Sequence, residues 1–225
     1  MSSRPRILDL FCGAGGCAVG YHRAGFDVLG VDINPQPRYP FEFHQADALE
    51  FVAEHGHRFD AIHASPPCQH YTSVNRIVKL KGRTYPDLVA PTREVLSKSG
   101  KSWVIENVAG SPLKFAARVC GSAFGLDVRR HRYFEGSFVL FSTPCYHARQ
   151  DKLGARFPSC FQSRKALNNG RRHLSTVVQV YGHTGGKALW PAAMGIDWMT
   201  SKELTQAIPP AFTEYIGKQL MEVVR

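Results

Sequence analysis

Cys68 stands behind two prolines in SPPCQHYT (65–72), an unusual setting for a cysteine. A thiol that attacks an electrophile needs a fixed address and a lowered pKa. The prolines push Ser65 and Pro66 toward extended backbone, and so stiffen the loop that would hold it. Glu106 closes the apolar run SWVIENV (102–108), where a carboxylate is costly unless it has a partner. Arg130 and Arg132 follow in RRHRYF, as cations that could orient a ring and neutralise charge on it. Alone, Cys68 would serve equally well as a small buried filler. With an acid and two arginines the set suits a thiolate adding to a polarised ring.

A second group of residues suits a ligand rather than a reaction. DLFCGAGG places Gly13, Gly15 and Gly16 between an apolar run and the next helix, where backbone can approach a ligand closely. Asp32 ends FDVLGVDI, about twenty residues after the first glycine, a position that suits accepting from both hydroxyls of a ribose. Asp47 ends FEFHQAD, within reach of an adenine amino group. The glycines could instead make only a tight turn, and the acids could cap helices. Together they imply a nucleoside-bearing cofactor, and the absence of G-x-G-x-x-G argues against a dinucleotide.

The elements that must position these residues alternate regularly. Apolar runs at 6–11, 26–33, 41–47, 59–65 and 102–108 read as five strands, separated by helical stretches ending near Ala24, over ALEFVAEHG and over PDLVAPTREVLSKSG. That order predicts an α/β fold with a doubly wound, mostly parallel sheet. GLDVRRHRYFEG (125–136) is expected to hold a sixth strand, with room for a seventh. IPPAFTEYIGKQLMEVV predicts a closing helix that starts at its prolines. Residues 141–185 are polar and basic without clear periodicity.

Length and composition fit one soluble globular domain, with 225 residues, 44% of them hydrophobic and 20% charged. No apolar run approaches the ~20 residues of a membrane span, and the N-terminus reads as strand rather than signal peptide, so a cytoplasmic location is expected. The six cysteines (12, 17, 68, 120, 145, 160) are too sparse for a disulfide framework and are expected to be reduced. A net charge of +10 points to a polyanionic partner.

Cys68, Glu106 and the arginines match the needs of one reaction, methylation of carbon 5 of cytosine. A thiolate adding at carbon 6 makes carbon 5 nucleophilic, an acid at N3 stabilises the resulting charge, and an arginine holds O2. The sequence resembles the cytosine-C5 DNA methyltransferase family at this point. DLFCGAGG, VDINP, QADALEF, SPPCQ, ENV and RRHRYF are similar to its motifs in both order and spacing, clearly over 6–134 and moderately over 203–224. The resemblance implies a class I, Rossmann-like, S-adenosylmethionine-dependent fold, with Cys68 as nucleophile on a loop fixed by Pro67. It implies Glu106 at N3, Arg130 and Arg132 orienting base and loop, and S-adenosylmethionine held by Phe11, Gly13, Ala14, Gly15, Gly16, Asp32, Ile33, Asp47, Ala48, Pro66, Gln206 and Ala207. Val128 stands where the family has the Gln of Q-x-R-x-R, and Gln206 where its last motif has Asn. MGIDWM (194–199) matches the penultimate motif only faintly.

Only about sixty-five residues separate Phe134 from the last motif, so the target-recognition region is short, as in the small enzymes of bacteriophages. The expected division is a catalytic domain of 1–140 plus 200–225 and a reduced recognition region of 141–199. Gln69, Arg149, Arg156, Arg164, Lys165, Arg171 and Arg172 are the expected contacts to double-stranded DNA, mainly to phosphates, with the target base flipped out. A monomer is expected, in a restriction-modification setting. RNA or a free cytosine nucleotide would suit the same chemistry, and a non-catalytic binding module is the reading from another class. Cys145-x-His147 with Cys160 and His173 or His183 fits no strong zinc spacing, so no metal is expected.

Overall fold

A computed structural model describes residues 4–72, 85–153, 177–180 and 186–224. Its centre is a seven-stranded sheet in the order β3-β2-β1-β4-β5-β7-β6. The strands are β1 (Arg6–Leu10), β2 (Asp27–Asp32), β3 (Glu42–Gln45), β4 (Ala61–Ala64), β5 (Ser102–Asn107), β6 (Ala117–Cys120) and β7 (His131–Gly136). The first five pair in parallel, while β7 runs antiparallel to both β5 and β6.

Strands covered on both faces should read as mainly apolar runs, and β1, β2, β4 and β5 do, while β3 at the edge is mostly exposed. Ile7 and Val104 enter a cluster with Tyr21, Phe26, Phe212, Ile216 and Leu220, under helices α1 (Gly16–Ala24) and α7 (Pro210–Val224). Leu8, Leu10, Ile62 and Ile105 point the other way, toward Phe51 of α2 (Ala48–His55) and Leu96 of α3 (Val89–Lys98). Each such fully buried side chain contributes roughly 1.5–3 kcal/mol of transfer free energy. A third cluster joins Ala14 and Val128 to Val178, Val180, Trp190 and Met194 of α5 (Trp190–Met194), and to Leu204 of α6 (Ser201–Gln206). Residues 190–199, grouped with the insert in the sequence, therefore pack against the first glycine loop. Trp198 Nε1 donates to Ala14 O at 2.8 Å.

The sixth strand lies earlier than the sequence reading put it. It is ARVC at 117–120, and GLDVRRHRYFEG supplies one strand, β7. The segment 141–185 also holds a helix, α4 (His147–Leu153). Arg93 of α3 grips Glu135 of β7 with two hydrogen bonds of 2.6 and 2.7 Å, tying the antiparallel edge to the parallel body. Among the described residues no helix is long and apolar enough to cross a membrane.

Candidate active site

The carboxyl ends of β1, β2, β4 and β5 meet along one rim, where ligands bind in open sheets of this kind. At the β1 end, Phe11 has φ +56°, one of two non-glycine residues with positive φ among those described. Strain of this kind is concentrated at ligand sites. Gly13 (φ +49°) and Gly15 (φ +85°) continue the turn, and Gly16 starts α1. A Cβ on Gly15 would lie 2.6 Å from Pro40 Cδ, whereas one on Gly13 would meet nothing within 4 Å. The backbone beside Gly13 is therefore open. Asp32 Oδ2 accepts from Gly13 N at 3.1 Å and Oδ1 from Asn34 N at 2.9 Å, so the acid is locked against the glycine turn. Ile33 beside it is 65% exposed. Asp47 caps α2, accepting from Leu49 N at 2.8 Å and Glu50 N at 3.1 Å, while Ala48 is buried behind it. The capping role raised for the acids thus holds for Asp47. Ala207 O and Thr205 O accept from Arg130, and Gln206 between them is exposed.

At the neighbouring strand ends, Cys68 and Glu106 face the same corner. Asn107 Nδ2, buried, donates to Pro66 O at 2.9 Å and pins the proline loop to the end of β5. Cys68 is half-buried, with Tyr71 N donating to its carbonyl at 3.0 Å. Burial pushes its thiol pKa up, the Arg132 charge pulls it down, and the Glu106 charge pushes it up. The lowered pKa expected from the sequence is therefore not found. Glu106 is 5% exposed, and burial raises its pKa against the pull of Arg132 and the Ser65 hydroxyl. Arg132 Nε lies 3.1 Å from Glu106 Oε1, but its N–H is not aimed along that line, so Oε1 is buried without a hydrogen bond. A protonated carboxyl with a free edge can donate to a ring nitrogen.

Arg130, expected to orient base and loop, is bound to backbone carbonyls. Its guanidinium donates to Val180 O at 2.6 Å, to Thr205 O at 3.2 Å and to Ala207 O, and burial pulls its pKa down to about 9. It ties the segment at Val180 to the one at 205–207 beside the site. Val128 sits 2% exposed in the third apolar cluster, which fills with hydrocarbon the place of the family's glutamine.

Behind the corner runs a buried polar chain that sequence reasoning missed. Tyr21 OH lies 2.9 Å from His63 Nδ1, and His63 Nε2 lies 2.9 Å from Ser65 Oγ. Burial lowers the His63 pKa to about 3, so the ring is neutral. With the proton on Nε2, Tyr21 donates to Nδ1, the ring donates to Ser65, and the Ser65 hydroxyl is released to Glu106. Nothing in IHAS marked this, because the partners come from α1 and β5. Asn107 was readable within ENV, beside the glutamate, although its role was not.

Gln69 follows Cys68 in the turn at 69–72, and Arg149 is exposed on α4. Arg156, Arg164, Lys165, Arg171 and Arg172 lie outside the described residues, as do Cys160, His173 and His183. Cys145 and His147 lie beside Cys120 and His131.

Residues 5–111 match the family described as C-5 cytosine-specific DNA methylase. The chain is 33% identical over 125 residues to the type II methyltransferase M.XorII of Xanthomonas oryzae, a stretch covering 48% of this chain and 29% of that protein. It is 32% identical over 122 residues to M1.HphI of Haemophilus parahaemolyticus, covering 45% of this chain and 32% of that one. The matched stretch thus spans about a third of these curated relatives. Among solved structures, the fold resembles that of a candidate DNA modification methyltransferase encoded within an Escherichia coli prophage, with TM-score 0.64 and 16% identity over 98% of this chain and 99% of that one. It also resembles the Dnmt2 methyltransferase of Schizosaccharomyces pombe, with TM-score 0.57 and 14% identity over 99% of both chains.

Proposed function

We propose that this chain, whose residues 5–111 match the C-5 cytosine-specific DNA methylase family, methylates carbon 5 of cytosine in DNA, with S-adenosylmethionine as donor and Cys68 as nucleophile. The single observation that carries the reading is the corner where Cys68, Glu106 and Arg132 meet, braced by the Asn107 to Pro66 hydrogen bond.

The residues present fit the cofactor. The open backbone at Gly13, the carboxylate of Asp32 and the exposed face of Ile33 offer a close approach, a ribose acceptor and an apolar surface for a purine. Phe11, Gly15, Gly16 and Ala14 shape the floor, and Asp47 lies at the rim with one oxygen engaged in its helix cap. When bound, S-adenosylmethionine supplies an electrophilic methyl group.

On the protein side, Cys68 loses its proton to solvent and its sulfur bonds to carbon 6 of the flipped cytosine, opening the carbon 5–carbon 6 double bond. Glu106 holds N3 with its carboxyl proton, and Arg132, beside that carboxyl, stabilises the charge and reaches O2. After carbon 5 has gained its methyl group it loses its proton, the sulfur–carbon 6 bond breaks, and Cys68 is regenerated. Pro66 and Pro67 keep the thiol from drifting, because a misplacement of an ångström in a near-attack geometry is expensive. The chain's basic excess and its segment 145–173, with exposed Arg149, suit phosphate contacts to a duplex. The bacteriophage-like economy of the insert leaves few side chains to read bases, so a short recognition sequence is expected.

Expression in a host lacking cytosine methylation, followed by bisulfite sequencing of its genome, tests the reading. Methylated cytosines in one short sequence context are expected. An unmethylated genome, despite folded protein, would overturn it.

A further inference from the structure

Four metal-binding side chains converge at the antiparallel edge of the sheet, on residues scattered over twenty-eight positions of sequence. The ligand atoms of Cys120, His131, Cys145 and His147 all lie within 4.8 Å of one another. Cys120 Sγ is 3.2 Å from His147 Nε2, and Cys145 Sγ is 3.4 Å from His131 Nε2. In a tetrahedral zinc site with ordinary Zn–S and Zn–N bonds, the sulfur–nitrogen edge is about 3.6 Å. The four donors therefore already describe a tetrahedron close to the right size.

The backbone explains why they meet. Cys120 and His131 are direct partners across the β6–β7 pair, so their side chains share a face. Residues 142–143 then run alongside β6: Arg118 N donates to Ser142 Oγ at 2.9 Å, Thr143 N to Arg118 O at 2.9 Å, and Cys120 N to Thr143 Oγ1 at 3.0 Å. That registration delivers Cys145 over Cys120. Tyr146 N donates to Ser122 Oγ at 2.9 Å, and Arg129 Nη2 to His147 O at 3.1 Å, which fixes the first turn of α4. The rings of His131 and His147 stack with centroids 5.2 Å apart. Hydrogen bonds from outside the cluster thus orient the chain on both sides of each donor, as supports do around metal ligands.

We propose that Cys120, His131, Cys145 and His147 form a structural zinc site that staples the start of the basic insert to the β6–β7 edge. Two thiolates and two neutral imidazoles suit zinc in hardness and geometry, and the two thiolates cancel its charge. Binding releases the two thiol protons to solvent. Four protein donors close the coordination shell, so the metal has no open position for chemistry. His131 opens β7 next to Arg132, and strand alternation turns it to the opposite face from Arg132. The metal therefore works through position: it holds the root of β7, whose other face carries Arg132, and anchors the chain that leads to Arg149.

The test reads metal directly and is independent of any methyltransferase activity. Reduced full-length protein, expressed with added zinc and purified without chelator, is expected to carry one zinc per chain by elemental analysis. Stripping with a chelator and adding cobalt(II) should give the visible bands of tetrahedral cobalt with a thiolate charge-transfer band. Cys145→Ser and His147→Ala should each reduce the zinc content to near zero and abolish or shift those bands. Because either variant could fail to fold, the stripped and re-metallated wild-type protein provides the second measurement: its melting temperature should drop on stripping and recover with zinc. Folded, reduced wild-type protein with no zinc and no cobalt–thiolate spectrum would overturn the proposal. A Cys120–Cys145 disulfide in freshly isolated protein would do the same.

Discussion

The two corners of the strand-end rim are built on opposite principles. At the β1–β2 corner the ligand-facing atoms are backbone and solvent-accessible acids, with Asp32 held by Gly13 N and Asp47 by the first amides of α2. At the β4–β5–β7 corner they are ionisable side chains drawn in from water, with Glu106 5% exposed and its Oε1 3.1 Å from Arg132 Nε but without a hydrogen bond. The first corner offers hydrogen-bond acceptors and open backbone to a ligand. The second holds groups away from their ordinary ionisation, the condition in which a proton can be handed to a substrate. In the proposed reaction, binding and chemistry fall to different corners of one sheet, and substitutions should separate them.

The sharpest separation is expected at the thiol. Cys68→Ser should lower methyl transfer by at least ~10³-fold while cofactor affinity, measured by calorimetry, stays near wild type. Glu106→Gln keeps the shape and removes the proton, and should lower kcat by on the order of 10²–10⁴-fold with little change in cofactor affinity. If Glu106→Gln weakened cofactor binding as much as it slowed turnover, the two corners would not be distinct. On the other side, Asp32→Asn loses a charged hydrogen-bond acceptor and should weaken cofactor binding by on the order of ten- to a hundredfold, with kcat at saturation nearly unchanged. A fall in saturated kcat equal to that of Glu106→Gln would erase the contrast.

The smallest effect is one of stability, and it comes from beneath the rim. Asp9 is fully buried, accepts from Tyr39 OH at 3.3 Å, and has its pKa raised by burial from 3.8 to about 8. A raised folded-state pKa means that its contribution is complete below the unfolded value and is lost as pH rises through about 8. Thermal melting between about pH 5 and about pH 9 should therefore show wild type losing stability toward alkali and Asp9→Asn losing less of it. Parallel curves for the two proteins would show that Asp9 is not the titrating group.

What the sequence disclosed follows the same divide. The parallel body was legible because strands such as RILDL and AIHA are buried on both faces and stand between helices of ordinary length. Cys68, Glu106, Asp32 and the glycines were legible because their signals are local, a few residues in a row. The antiparallel edge was not. ARVC is four residues long with exposed Arg118 in its midst, so its period could not be told from a loop. Arg130 was read as orienting base and loop, and only folding shows which carbonyls, at 180, 205 and 207, its guanidinium holds. Cys145-x-His147 was visible, but its partners Cys120 and His131 depend on a strand register that no spacing reveals. The raised Cys68 pKa was hidden for the same reason, since desolvation is a property of the packed corner.

The most direct test of the central claim is to trap the sulfur–carbon bond. The protein is incubated with S-adenosylmethionine and duplex DNA of varied sequence in which cytosine is replaced by 5-fluorocytosine, whose fluorine blocks the final loss from carbon 5. Mass spectrometry should find a covalent DNA adduct mapping to Cys68 in wild type and absent from Cys68→Ser. An adduct that persists in Cys68→Ser, or none in a folded wild-type protein that binds the duplex and the cofactor, would contradict the assignment of Cys68 as the nucleophile.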